Sequence, residues 1–101
     1  MKNDGVLSLI GMAKRAGKVV SGEFSTEKAI KERKAKLVIV AEDASDNTKK
    51  LFINKTTYYK IPICFYSDKE SLGHGIGCEI RTSIGIMDEG FANAILKKLG
   101  G

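Results

Sequence analysis

The segment Leu37-Val38-Ile39-Val40-Ala41 constrains this chain more than any other. It is apolar throughout, β-branched at its centre and too short for a helix. With no polar alternation, it predicts a strand buried on both faces. Such a strand needs helices on each side of its sheet, and the rest of the chain has the periodicity to supply them. Residues 4–16 read as a helix capped by Asp4, with Val6, Leu7, Ile10 and Ala13 at helical spacing and Gly17 to end it. Lys18-Val19-Val20 is a short extended piece. A second helix spans 23–34, with Ala29, Ile30 and Arg33 on one stripe. A third covers 46–59 through Leu51, Phe52, Lys55 and Tyr59, until Ile61-Pro62 breaks it. Residues 63–66 read as a strand, and Asp68 caps a short helix to Leu72. The glycine-rich loop 73–77, a strand near 82–87 and a final helix follow. That last helix is capped by Asp88 and buries Phe91, Ala94, Ile95 and Leu99. Strands alternating with helices make this an α/β protein, an α/β/α sandwich around a small central sheet.

A length of 101 residues fits a single domain, 1–101, with a modest core. The 43% hydrophobic and 29% charged residues are those of a globular chain, and a lone proline argues against long disorder. No apolar run approaches the roughly 20 residues that span a bilayer, so no membrane partner is expected. Met1–Gly5 lacks a secretory apolar region, which makes the cytoplasm the expected location. Cys64 and Cys78 have no CxxC spacing and read as reduced thiols. A net charge of +5 suggests a polyanionic partner. Residues 1–50 hold 11 Lys/Arg against 7 Asp/Glu, and residues 51–101 hold 6 against 5. Phosphates should therefore lie mainly against the N-terminal half.

No catalytic constellation stands out. His74, the single histidine, lies between two glycines with no orienting carboxylate or nucleophile beside it in sequence. The chain thus reads as non-catalytic, without cofactor or metal. Glu42-Asp43 follows a buried strand, a place that holds metals in many α/β enzymes, but Asp43 suits capping of the next helix better. The glycines at 73–77 match neither phosphate-loop pattern; a tight loop permitting close backbone approach is the simpler reading. Gly22 opens a helix whose free N–H groups suit an anion or an electronegative base edge, with Lys28 one to two turns on. On spacing alone, an ordinary capped helix with a solvated lysine stays open as the alternative.

Longer matches decide more. Residues 9–23 (Leu-Ile-Gly-Met-Ala-Lys-Arg-Ala-Gly-Lys-Val-Val-Ser-Gly-Glu), 35–45 (Ala-Lys-Leu-Val-Ile-Val-Ala-Glu-Asp-Ala-Ser), Tyr58-Tyr59-Lys60-Ile61-Pro62 and Gly90-Phe91-Ala92-Asn93 together resemble the YlxQ-type bacterial branch of the ribosomal-protein L7Ae/L30e family. The resemblance implies a three-layer sandwich around a mixed four-stranded sheet. It also implies a ribonucleoprotein role, binding kink-turn RNA. Such RNA is sharply bent, with tandem sheared G·A pairs and a flipped-out nucleotide, and ribosomal RNA is one source of it. In the family, the start of the second helix enters the groove at the G·A pairs, where a deformed helix exposes base edges that A-form geometry hides. The family pattern G-x-N-E-x-x-K falls on Gly22 through Lys28. Gly22 and Lys28 match, Glu23 offers an acceptor, and Phe24 and Ser25 replace the asparagine and glutamate. The resemblance places Ser45 and Lys49 near the flipped nucleotide and Lys69 at a backbone contact. It sets Leu72-Gly73-His74-Gly75-Ile76-Gly77 on the family loop, including Gly73, His74 and Gly77. Cys78, Glu79 and Ile80 then cover the base, with Arg81 offsetting Glu79. A monomer is expected. A protein-interaction module on the same fold, docking to ribosomal or transcription machinery, is the alternative that the loss of the asparagine–glutamate pair motivates.

Overall fold

A computed structural model of the chain describes residues 5–100, so the Asp4 cap lies outside the described residues. The elements are α1 (Gly5–Arg15), β1 (Val19–Ser21), α2 (Glu23–Lys31), β2 (Leu37–Val40), α3 (Asp46–Tyr59), β3 (Ile63–Phe65), α4 (Lys69–Gly75), β4 (Ser83–Ile86) and α5 (Glu89–Lys98). The strands form one mixed sheet in the order β1-β4-β2-β3, with β2 parallel to β3 and β4 antiparallel to both β1 and β2.

The central strand carries both layers. Its pleat sends Leu37 and Ile39 to one face, where they pack with Val6, Ile10 and Ala13 of α1, Leu72 of α4, Ile84 and Ile86 of β4, and Ile95 of α5. Val38 and Val40 point to the other face, against Ala29 and Ile30 of α2 and Phe52 of α3. All four residues of β2 and of β4 are buried. The α/β/α sandwich and the mixed four-stranded sheet are thus present. α2 lies close to the sheet because Gly85 has no side chain. A Cβ there would sit 2.9 Å from Val20 Cγ2 and 3.6 Å from Thr26 Cγ2.

Four local expectations are corrected. α2 stops at Lys31 rather than 34, and Arg33 sits outside it at φ +59°. There the carbonyl of Ala29 accepts from both Lys34 N and Ala35 N, a turn that swings Ala35 into the core. α4 runs through Gly75, so most of the glycine-rich segment is helix, and only Gly77, at φ +77°, takes the turn. On α5 the core-facing stripe takes in Ala92 rather than Ala94 beside Ile95, with Phe91 and Leu99 packed half-buried against the same layer. Ser45, not Asp43, caps α3, accepting from Thr48 N at 3.2 Å.

Beneath α2, Thr26 Oγ1 and Ser83 Oγ are buried, and neither has a hydrogen-bond partner. A buried unpaired hydroxyl carries a desolvation cost that a methyl group of similar size avoids. Thr26→Val is therefore expected to stabilise the fold by about 1 kcal/mol in urea unfolding. A loss of stability would show that this hydroxyl makes a bond in solution.

Candidate functional site

The sheet order has a geometric consequence. β1, β2 and β3 all finish, and β4 begins, at one end of the sheet, so four connecting segments gather there. They are residues 21–25, 41–46, 66–70 and 76–82. Backbone and side-chain hydrogen bonds sew them together. Gly22 N donates to the Ser83 carbonyl, Ala41 N to Thr82 and Glu42 N to Ser67. Asp43 Oδ1 accepts from Lys69 N at 2.9 Å, so Asp43 caps α4 across 26 residues instead of the helix that follows it. Asp68 accepts from Ser71 N at 2.7 Å and from its hydroxyl, and these bonds hold the carboxyl below the usual range. The carbonyl of Lys69 accepts from Arg81 N, which brings the last segment alongside.

Arg81 completes the set. Its Nε donates to Ser21 Oγ at 3.0 Å and one terminal nitrogen to the Ile80 carbonyl at 2.8 Å. The guanidinium is thereby fixed beside the start of α2, where Gly22 stands at φ +90° in a conformation that favours glycine. No side chain caps that helix start. Its first N–H groups are left for a partner. Phe24, in the first turn, is 78% exposed, and Ile80, next to Arg81, is 48% exposed. An unstacked base suits such a set of apolar and cationic groups around free N–H donors.

Gly22, Glu23, Phe24, Ser25, Ser45, Lys49, Lys69, Gly77, Cys78 and Glu79 all come to this end or its margin. Their roles differ. The Ser45 hydroxyl is committed to capping, bonding to Thr48 N and Thr48 Oγ1. Cys78 is half-buried against the first core layer, with its Sγ 3.9 Å from the Ile76 carbonyl. Lys28 lies further along α2, paired with Glu32 at 3.6 Å, and lines a groove of about 220 Å³ with Ser25 and Lys34. His74 is exposed in the last turn of α4. Gly73 is a packing residue: a Cβ there would lie 2.3 Å from the Glu79 carbonyl oxygen. The anchoring of Arg81 is not encoded locally, since its partner Ser21 lies 60 residues away.

Charge at this end runs against the composition. The four segments hold Glu23, Glu42, Asp43, Asp46, Asp68, Glu70 and Glu79 against Lys69 and Arg81. Asp43 and Asp68 cap α4, and Glu23, Glu42, Asp46, Glu70 and Glu79 are exposed; among the described residues no group of three or more His, Cys, Asp or Glu side chains is arranged to hold a metal. No described helix is long and apolar enough to cross a membrane.

The chain is thus a small three-layer α/β/α sandwich whose second helix starts without a side-chain cap beside an anchored arginine. The chain belongs to the ribosomal protein L7Ae/L30e/S12e/Gadd45 family, whose model matches residues 4–96. It is 45% identical over 91 residues to the RNA-binding protein YlxQ of Bacillus subtilis (strain 168), covering 90% of this chain and 91% of that protein. It is 48% identical over 88 residues to the RNA-binding protein YlxQ of Enterococcus faecium, covering 85% and 82%. A protein of unknown function from Bacillus halodurans superposes with a TM-score of 0.94 at 33% identity, covering 98% of this chain and all of that one. The 15.5kD RNA binding protein of Giardia lamblia shares the fold, with a TM-score of 0.80 at 20% identity over 99% and 89% of the two chains.

Two variants test the local geometry. Gly73→Ala should destabilise the protein by about 1–3 kcal/mol and speed amide exchange in 77–81, since the added methyl group displaces Glu79. Burial pushes the Cys64 thiol up to about 11. An unfolded thiol ionises at lower pH, so Cys64 favours the folded state below about pH 9, an advantage lost as pH rises toward 11. The drop in stability over that interval should be smaller in Cys64→Val than in the parent, measured by urea unfolding at each pH.

Proposed function

We propose that this chain is a non-catalytic RNA-binding protein that recognises a kink-turn or related structured RNA with the end of the sheet where α2 begins. The observation that carries the reading is the uncapped start of α2 beside Arg81, in a chain whose relatives are named RNA-binding proteins. Gly22 lets the backbone approach a base edge closely. The N–H groups of the first turn and the Arg81 guanidinium supply donors, and Glu23 supplies an acceptor for guanine N–H groups. Ile80 and Phe24 present apolar surface to unstacked bases. Lys28, Lys49 and Lys69 are the cations placed for backbone phosphates, while Gly73 and Gly77 shape the loop that carries Cys78 and Glu79. A ribosomal RNA is one source of such a motif, and the cytoplasm is the compartment that fits it.

Phe24 and Ser25 change the mode of recognition. Neither offers the amide and carboxylate of the family pattern. Stacking on Phe24 would replace part of the hydrogen bonding, and base–aromatic stacking contributes about 1–3 kcal/mol per base. The surplus of carboxylates at this end keeps phosphates to its cationic margin.

The test is a gel-shift or filter-binding comparison of a kink-turn hairpin with the same hairpin carrying Watson–Crick pairs in place of the G·A pairs. Tighter binding of the kink-turn is expected. Phe24→Ala should weaken it by roughly tenfold or more. Lys28→Ala should lower the slope of log affinity against log salt by about one. Equal affinity for both hairpins, unchanged by these variants, would overturn the kink-turn reading. The exposed carboxylates favour a second reading, a protein-interaction module docking a basic partner on this end. Partners that persist after nuclease treatment, and are lost on Glu79→Lys, would support it.

A further inference from the structure

The opposite end of the sheet holds most of the net positive charge. Segments 14–18, 32–36, 60–62 and 87–90 meet there, where β1, β2 and β3 begin and β4 finishes. They carry Lys14, Arg15, Lys18, Arg33, Lys34, Lys36 and Lys60 against Glu32, Asp88 and Glu89, a surplus of four from a chain whose total is +5. The cations are contiguous. The Lys18 carbonyl accepts from Met87 N at 2.8 Å, and Lys36 N donates to the Ile86 carbonyl at 2.7 Å, so these two lysines flank the end of β4. Arg33, Lys36 and Lys60 then converge on one cleft of about 420 Å³.

Local roles do not absorb this charge. α1, α2 and α3 end here, and each helix C-terminus accounts for about half a charge of cation, roughly one and a half in total. The carboxylates offset part of it: Glu32 pairs with Lys34 here and with Lys28, Glu89 lines the cleft beside Arg33, Lys36 and Lys60, and Asp88 Oδ2 accepts from Phe91 N to cap α5. Among the described residues the ion pairs that form include none with Lys14, Arg15, Lys18, Arg33, Lys36 or Lys60. Arg33 and Lys60 stand at φ +59°, where glycine fits with least strain. The Arg33 guanidinium lies 5.1 Å from the centroid of the Tyr59 ring and is held at the cleft mouth.

We propose that this end is a second RNA-binding face that grips the phosphodiester backbone of a duplex segment without reading its sequence. The occupant follows from the surface. Several separated cations spread across a molecule 25–27 Å wide match a run of phosphates better than a single anion. Tyr59 is the one aromatic ring among the described residues lining the cleft, and Arg33 lies over it 5.1 Å from its centroid, so the cleft presents cations more than stacking surface. The proposal stands on charge placement and holds whichever RNA is read at the other end. A chain with both faces occupied would bridge two RNA segments.

The test uses the full chain and a 20-base-pair RNA duplex with no internal loop. Binding at low salt is expected, with a log–log salt slope of roughly −3 to −4. The variant Lys18→Gln/Lys36→Gln/Lys60→Gly should cut affinity at least tenfold and flatten the slope by about 2–3. Removing the side chain at φ +59° should leave its melting temperature unchanged or raised, which separates lost binding from lost folding. Lys97→Gln/Lys98→Gln, which removes two charges outside both faces, should bind the duplex within about twofold of the parent, and amide shifts on titration should fall in 14–18, 33–36 and 60–62. Absence of duplex binding, equal binding by the triple variant, or shifts confined to 22–28 and 77–81 would overturn the proposal. Tighter binding of polyglutamate than of duplex would overturn it in favour of an acidic protein partner. The kink-turn comparison is read on a different RNA and different residues, so failure of either reading leaves the other measurable.

Discussion

The burial of β2 on both faces is the constraint on which the rest of the molecule depends. Its backbone is paired on both edges, with β4 on one side and β3 on the other, and its side chains split between two core layers. A strand so enclosed leaves helices only the two faces, which puts α1, α4 and α5 on one side and α2 and α3 on the other. It also sets the directions of the chain: with β4 antiparallel between β1 and β2, the strands that precede α2, α3 and α4 all end together. The convergence of four segments at that end is therefore a product of topology, not of any local motif.

Those segments are held by polar bonds that cross long stretches of sequence. Asp43 reaches Lys69, Lys69 reaches Arg81 through its carbonyl, and Arg81 reaches Ser21. Each link satisfies a backbone group or fixes a charged side chain, and Ala41, Ala44, Tyr66, Ile76 and Cys78 tie the same segments to the two core layers. Gly73 lets the Glu79 backbone lie against α4, which positions Ile80 and Arg81. A glycine-rich run that looks like a ligand loop in the sequence is thus largely internal packing.

The charge distribution gives the molecule a direction. Carboxylates crowd the end where α2 begins, and cations crowd the other. The N-terminal half was expected to face phosphates because it carries the larger surplus. Much of that surplus, Lys14 through Lys18 and Arg33 through Lys36, stands at the end away from Gly22. Contacts at the two ends should accordingly differ in kind, with base edges and stacking at one and backbone phosphates at the other.

By itself the sequence determined the elements and the family. The apolar run 37–41, the helical spacing from Asp46 to Tyr59 and the caps Asp68 and Asp88 are encoded locally, because hydrophobic period and side-chain capping act over a few residues. The start of α2 at Glu23, directly after Ser21-Gly22, is encoded in the same local way, whereas the reading of Gly22–Lys28 as a binding segment comes from the family resemblance. Only the tertiary structure decided what Asp43 caps, that Arg81 is anchored to Ser21, that α5 buries Ala92 rather than Ala94, and that the basic residues gather at one end. Each depends on which strands become neighbours and on how helices rotate to fill a shared core. Those outcomes are set by contacts between residues tens of positions apart, and no window along the chain contains them.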